Sequence, residues 1–141
     1  MNLPSFVSKG LLLLLLLAFP IWSLAQQSEE QAAAASADLF LQLIDSGQYH
    51  ESWRQTAAIF KSQVAQQQWT VQLQSLRPLL GVAERRTIRS VQRATSLPGA
   101  PDGDYVVLQF DTLFEKKKGA IETITLSHNG KEWLVAGYFI R

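Results

Sequence analysis

TSLPGAPDGDYVVLQFDTLFEKKKGAIETITLSHNGKEWLVAGYFIR, residues 95–141, decides the fold. Its apolar residues recur at every second position in three runs, the period of a half-buried strand. Turn-forming residues separate the runs: Pro98-Gly99-Ala100-Pro101-Asp102-Gly103 before the first, Lys116-Lys117-Lys118 after it, and Asn129-Gly130 after the second. The strands fall at residues 105–114, 120–127 and 132–140.

The turns propose a register. Asn129-Gly130 is a two-residue hairpin signal, because both central positions of a type I′ turn need positive φ. It pairs His128 with Lys131, and so sets Leu126 opposite Trp133, Ile124 opposite Val135 and Glu122 opposite Gly137. A turn at residues 116–118 pairs Phe110 with Ile124 and Thr112 with Glu122. The two-residue alternative sets Asp111 against Glu122, a like-charge pair, and is disfavoured.

Alternation then sorts the side chains. One face collects Val106, Leu108, Phe110, Thr112, Phe114, Ala120, Glu122, Ile124, Leu126, Trp133, Val135, Gly137 and Phe139. The other takes Tyr105, Val107, Gln109, Asp111, Thr123, Thr125, Leu134, Ala136, Tyr138 and Ile140.

Glu122 is the misfit on the apolar face. A buried lone carboxylate is costly, so it must be paired, neutral or near water. Three readings are open. It is a structural partner of Arg86 and Thr112; or it floors a ligand pocket, with Gly137 leaving room; or it is a general acid or base with a burial-raised pKa. The last needs a second titratable group, for which the corner residues His50, Asp45 and Tyr49 are candidates.

Upstream, the period changes to that of helices. Ser28 and Gln31 resemble a capping box opening a helix over residues 29–45, with Ala33, Ala37, Phe40 and Ile44 on one face. A second helix covers residues 49–60, with Tyr49, Trp53, Ala57 and Phe60 aligned. A third runs from Gln63 to about Leu76, ended by Pro78. Residues 82–97 form a further strand, with a break near residues 81–84 and a bulge between Ile88 and Val91. Helices followed by an antiparallel sheet make an α+β fold: three helices on a curved sheet of about four strands. Trp53 and Trp69 read as core anchors, with a ligand-stacking role the alternative.

The first residues read as a leader. Lys9 precedes an unbroken run of leucines over residues 11–17, and Ser23-Leu24-Ala25 offers small residues for cleavage before Gln26. Residues 1–25 are therefore expected to be a signal peptide, and residues 26–141 one exported domain; an uncleaved N-terminal anchor is the rival reading. Without Lys9 the formal charges balance, which disfavours nucleic acid and anionic membrane surfaces as partners. There is no cysteine, so neither disulfides nor thiol catalysis apply. His50 and His128 have no partner at metal-ligand spacing, so no metal or other cofactor is expected.

Residues 95–105, then Phe110, Phe114, Lys117, Glu122-Thr123, Trp133 and Gly137-Tyr138, resemble the bacterial family known as domain of unknown function 4019. Trp53, Phe60, Trp69, Arg77, Gly81 and Arg86 fit its pattern, while Pro78 stands one position earlier than in it. The family has no established activity, so the resemblance implies no catalytic residues. Its element order is similar to the cystatin-like roll of nuclear transport factor 2-like proteins, in which a sheet wraps a helix around a cavity. That fold hosts both enzymes and binding modules.

The resulting expectation is a periplasmic or secreted, non-catalytic module. It takes a small ligand or a protein partner, or dimerises through its sheet. Its candidate binding residues are Glu122, Arg86, Trp53 and Thr112. The alternative is a small lyase or isomerase using Glu122.

Overall fold

The computed structural model describes residues 21–141; most of the expected leader lies outside the described residues. Four helices, α1 (Ile21–Asp45), α2 (Tyr49–Arg54), α3 (Ala58–Gln63) and α4 (Gln66–Leu80), precede four strands. The strands β1 (Ala83–Ala94), β2 (Tyr105–Phe114), β3 (Lys117–His128) and β4 (Trp133–Ile140) form one antiparallel meander in the order β1-β2-β3-β4. The fold is α+β.

The helices pack on one face of the sheet. Ala33, Ala37, Phe40, Leu41 and Ile44 of α1 meet Val106, Leu108 and Phe110 of β2, Ile124 and Leu126 of β3, and Trp133 and Val135 of β4. Phe60 of α3 and Trp69 and Leu73 of α4 complete this core. Leu80, Phe114 and Ala120 form a second cluster, with Ile140 packed against it.

Several helix boundaries differ from expectation. Ser28 lies inside α1 rather than at its start, and its hydroxyl donates back to the Ala25 carbonyl. The expected second helix is two, because Thr56 leaves helical geometry to bridge Val135 on the β4 edge. There the Ala57 N–H donates to the Val135 carbonyl at 2.8 Å, a strand-type bond that helix continuation would forfeit. Pro78 does not end α4, which runs on to Leu80. Buried Arg77 and Leu80 hold the last turn in place, outweighing the local penalty of proline. Gly81 then closes the helix at φ 73°.

The strand register also shifts. The Asn129 carboxamide oxygen accepts from the Lys131 and Glu132 backbone N–H groups, an Asx-type turn. Only Gly130 of the pair has positive φ, so the type I′ turn does not form. His128 pairs with Trp133 rather than Lys131, and Leu126 pairs with Val135. Ala136 is then an extra residue, since Val135 opposes Leu126 while Gly137 opposes Thr125. Beyond this bulge the faces of β4 exchange. Tyr138 joins the core side, Phe139 is exposed, and Glu122 faces Ile140 instead of Gly137.

At the other hairpin the turn is Glu115-Lys116, with Phe114 opposite Lys117. Gly119 at φ 72° lies at a second bulge, after which Thr112 pairs with Ala120, Asp111 with Ile121 and Phe110 with Glu122, rather than Thr112 with Glu122 and Phe110 with Ile124 as expected. The bulge expected between Ile88 and Val91 is present, between Ile88 and Ser90.

Candidate functional site

Glu122 is 0% exposed, and both its oxygens are occupied. Oε2 accepts from Arg86 Nε and from the Thr112 hydroxyl, each at 2.5 Å. Oε1 accepts from the Tyr138 hydroxyl at 2.6 Å and from Arg86 Nη2 at 3.2 Å. Each strand contributes one of these four side chains.

The sheet geometry explains the convergence. Arg86 pairs directly with Thr112 across β1 and β2. Glu122 pairs with Phe110, one step along the same face from Thr112. Glu122 also pairs with Ile140, and the β4 bulge brings Tyr138 onto that face, again one step away. Without the bulge the phenol would point to the opposite side.

The helices extend the group outwards. Asp45, the last residue of α1, accepts from Arg86 Nη1 at 2.5 Å and from Arg86 Nη2 at 2.9 Å. Arg77 of α4 donates from Nη2 to Asp45 Oδ1 at 2.8 Å. Two guanidinium groups and two carboxylates therefore alternate from Arg77 to Glu122 with no net charge. Arg77 Nη1 is the one buried polar side-chain atom without a hydrogen-bond partner among the described residues. Its guanidinium lies over the Phe114 ring, 5.3 Å from the centroid, and the ring face attracts the cation there.

The electrostatics follow from this packing. Burial alone would lower the pKa of Arg86, but hydrogen bonds and charge from Asp45 and Glu122 outweigh it and raise the value. Arg86 is a permanent cation. Burial raises the Tyr138 phenol well above its ordinary value of 10.0, and the Glu122 charge and hydrogen bond add to that. The arginines Arg77 and Arg86 offset part of the rise.

The structure thus joins Glu122, Arg86 and Thr112, as their residue types lead one to expect, and adds Asp45, Arg77 and Tyr138. Trp53 stands apart. Its indole N–H donates to the Val64 carbonyl at 2.8 Å, and the Lys61 ammonium sits 5.3 Å from its ring centroid. Of the corner residues proposed as a second titratable group, Asp45 arrives as a carboxylate partner of Arg86, while His50 is exposed. Ile140 rather than Gly137 stands opposite Glu122, so the room expected from the glycine does not arise there.

A cleft of about 530 Å³ opens between α4 and β4 beside this group. Trp69, Leu73 and Tyr138 form its inner wall, and Val71, Leu76, Phe139 and Ile140 line its rim, with Gln72 and Ser75 as polar margin. Val71 and Phe139 are 53% and 55% exposed, so the rim of the cleft is an apolar surface open to solvent. A smaller, polar cleft of about 320 Å³ is lined by Asp45, Tyr49, Arg77, Glu115 and Lys116 among others.

The profile of a family described as protein of unknown function, DUF4019, matches residues 36–138. The chain belongs to this family. The matched span takes in every member of the group from Asp45 to Tyr138 and the α4 side of the apolar cleft, and stops before Phe139 and Ile140 on its β4 side. No curated protein and no solved structure matches the chain.

Proposed function

We propose that this DUF4019 chain is an exported, non-catalytic binding module that holds a small apolar ligand in the cleft between α4 and β4. The observation that carries the reading is the lining of that cleft. It has aromatic and aliphatic walls, a polar margin, and a volume of about 530 Å³. Small-molecule sites typically span roughly 300–1,000 Å³ and combine apolar walls with a few polar groups. No charged side chain lines it, so the favoured ligand is neutral.

Glu122 supports the non-catalytic part. An acid or base must reach substrate, and this carboxylate is buried and hydrogen-bonded to three side chains. That speaks against the lyase or isomerase alternative. Lys9, the leucine run and the small residues before Gln26 support export with a cleaved leader. Among the described residues no helix is long and apolar enough to cross a membrane.

The test uses protein made with its leader in a Gram-negative host. The reading expects periplasmic material beginning at Gln26 that binds the neutral dye N-phenyl-1-naphthylamine saturably, one per chain. Val71→Asp with Phe139→Asp weakens binding on the order of tenfold or more, because charge is set into an apolar site. Dye uptake that is unsaturable, or indifferent to both substitutions, contradicts the ligand site. Recovery of unprocessed chain in the membrane pellet contradicts cleavage of the leader and favours the uncleaved anchor.

A further inference from the structure

The α4–β4 cleft has a direction, set by how its two walls run beside each other. At one end Trp69 of α4 meets Tyr138 of β4, with ring centroids 6.1 Å apart. At the other, Ile140 packs on the cluster that holds Leu80.

The two ends differ in chemistry. On α4, Gln68, Gln72, Leu76 and Leu79 follow one another at helical spacing and so share one flank of the helix. Gln72 and Leu76 line the cleft, which makes that flank the cleft side. Along it the side chains change from amides to leucines. Gln68 and Gln72 are exposed, and helical side chains lean towards the N-terminus, so both carboxamides stand at the Trp69 end. Leu76 and Leu79 are 38% and 71% exposed, and carry apolar surface past the cleft towards the end of α4.

The inner wall keeps its polar groups engaged. The Trp69 indole N–H donates to the Ser52 hydroxyl at 3.0 Å, and the Tyr138 hydroxyl donates to Glu122 at 2.6 Å. Both rings therefore meet a ligand through carbon. A molecule that suits these walls is apolar along most of its length and polar at one end. The flank from Gln68 to Leu79 spans about 16 Å at the helical rise, which suits an extended chain better than a compact ring system. The carboxamides both donate and accept, matching a hydroxyl or an ester, whereas a carboxylate head finds no counter-charge in the lining.

We propose that the cleft binds a single-chain amphiphile with an uncharged head, of the monoacylglycerol class. The head meets Gln68 and Gln72, and the chain runs past Trp69, Leu73 and Tyr138 to Leu76 and Leu79. The proposal rests on the apolar ligand site described above, whose ligand class it names.

Calorimetry on purified protein compares 1-lauroylglycerol, kept below its micelle concentration, with laurate and with the compact dye N-phenyl-1-naphthylamine. Each is titrated into wild type and into Leu79→Gln. Leu79 is exposed and outside the cleft lining, so the variant should fold, and its melting temperature checks this. The glyceride is expected to bind one per chain, on the order of tenfold more tightly than laurate. It should lose on the order of fivefold in Leu79→Gln, where the far end of the chain no longer meets apolar surface. The dye should bind both proteins alike. Dye binding without glyceride binding overturns this proposal and leaves the apolar site standing, while loss of both overturns both. Laurate binding as tightly as the glyceride overturns the uncharged head. A Leu79→Gln effect that is absent, or equal for glyceride and dye, overturns the path along α4.

Discussion

Glu122 is a carboxylate that the fold hides and then fully compensates. Its partners are one permanent cation and two hydroxyls, and the cation is itself anchored on Asp45. Removing one member of a buried pair leaves the other uncompensated, which is why such changes cost more than the pair itself contributes. The Tyr138 hydroxyl is the member with a pH signature. Below about pH 10 the phenol is neutral in both folded and unfolded chains. Above it the unfolded chain ionises while the buried phenol, its pKa raised, stays protonated. The unfolded state then binds fewer protons, so stability falls as pH rises from about 10 towards the folded-state value. Tyr138→Phe should cost about 1.5–3 kcal/mol at pH 7, for a lost hydrogen bond to a charged group. The gap from wild type should narrow above pH 10, as measured by urea melts at pH 7, 9, 10 and 11. A gap that stays constant, or widens, contradicts the buried, neutral phenol. At this scale Glu122, Arg86 and Thr112 were legible as a misfit carboxylate with a nearby cation and hydroxyl. Arg77 was not, because nothing local marks an arginine at the end of a helix as buried.

At the scale of elements, one inserted residue decides which side chains meet. Ala136 moves Tyr138 onto Glu122 and turns Phe139 out to the rim of the cleft. The alternation of residues 105–141 correctly announces three strands, and their core side is right up to Val135. It fails after that because strict alternation carries no information about bulges. Gly137 was the available sign, since glycine inside a strand often marks one. The Asn129-Gly130 turn misled for a related reason: asparagine can satisfy a turn with its side chain instead of its backbone. The α4–β1 corner makes a separate prediction. Gly81 has φ 73°, and an added Cβ would sit 2.7 Å from Glu115 Oε2 and 2.9 Å from Glu115 Cβ. Gly81→Ala should therefore destabilise by more than about 1 kcal/mol, from backbone strain and crowding together. Gly47→Ala, with similar φ but nothing within 4 Å, should cost less. Equal losses in thermal melts would contradict the crowding argument.

Over the whole molecule, the buried group works as a tie. It draws one side chain from every strand, the end of α1 and the last turn of α4 to a single point. The apolar core holds the middle of the sheet to α1, and the polar group holds the end where α1, α4 and all four strands meet. The α4–β4 cleft opens beside that end, and Tyr138 belongs to both the buried group and the cleft wall. Helices before an antiparallel sheet made the α+β class readable from element order alone, whereas which surface stays open depends on packing between distant elements. The measurement that bears most directly on this account is the melting temperature of Glu122→Gln beside wild type at pH 7. The substitution keeps the shape and removes the charge between Arg86, Thr112 and Tyr138. A tie of this kind predicts a loss of about 3 kcal/mol, the low end for a broken buried pair since Arg86 keeps Asp45. That corresponds to a fall on the order of 10 °C for a domain of this size. An unchanged melting temperature would contradict it.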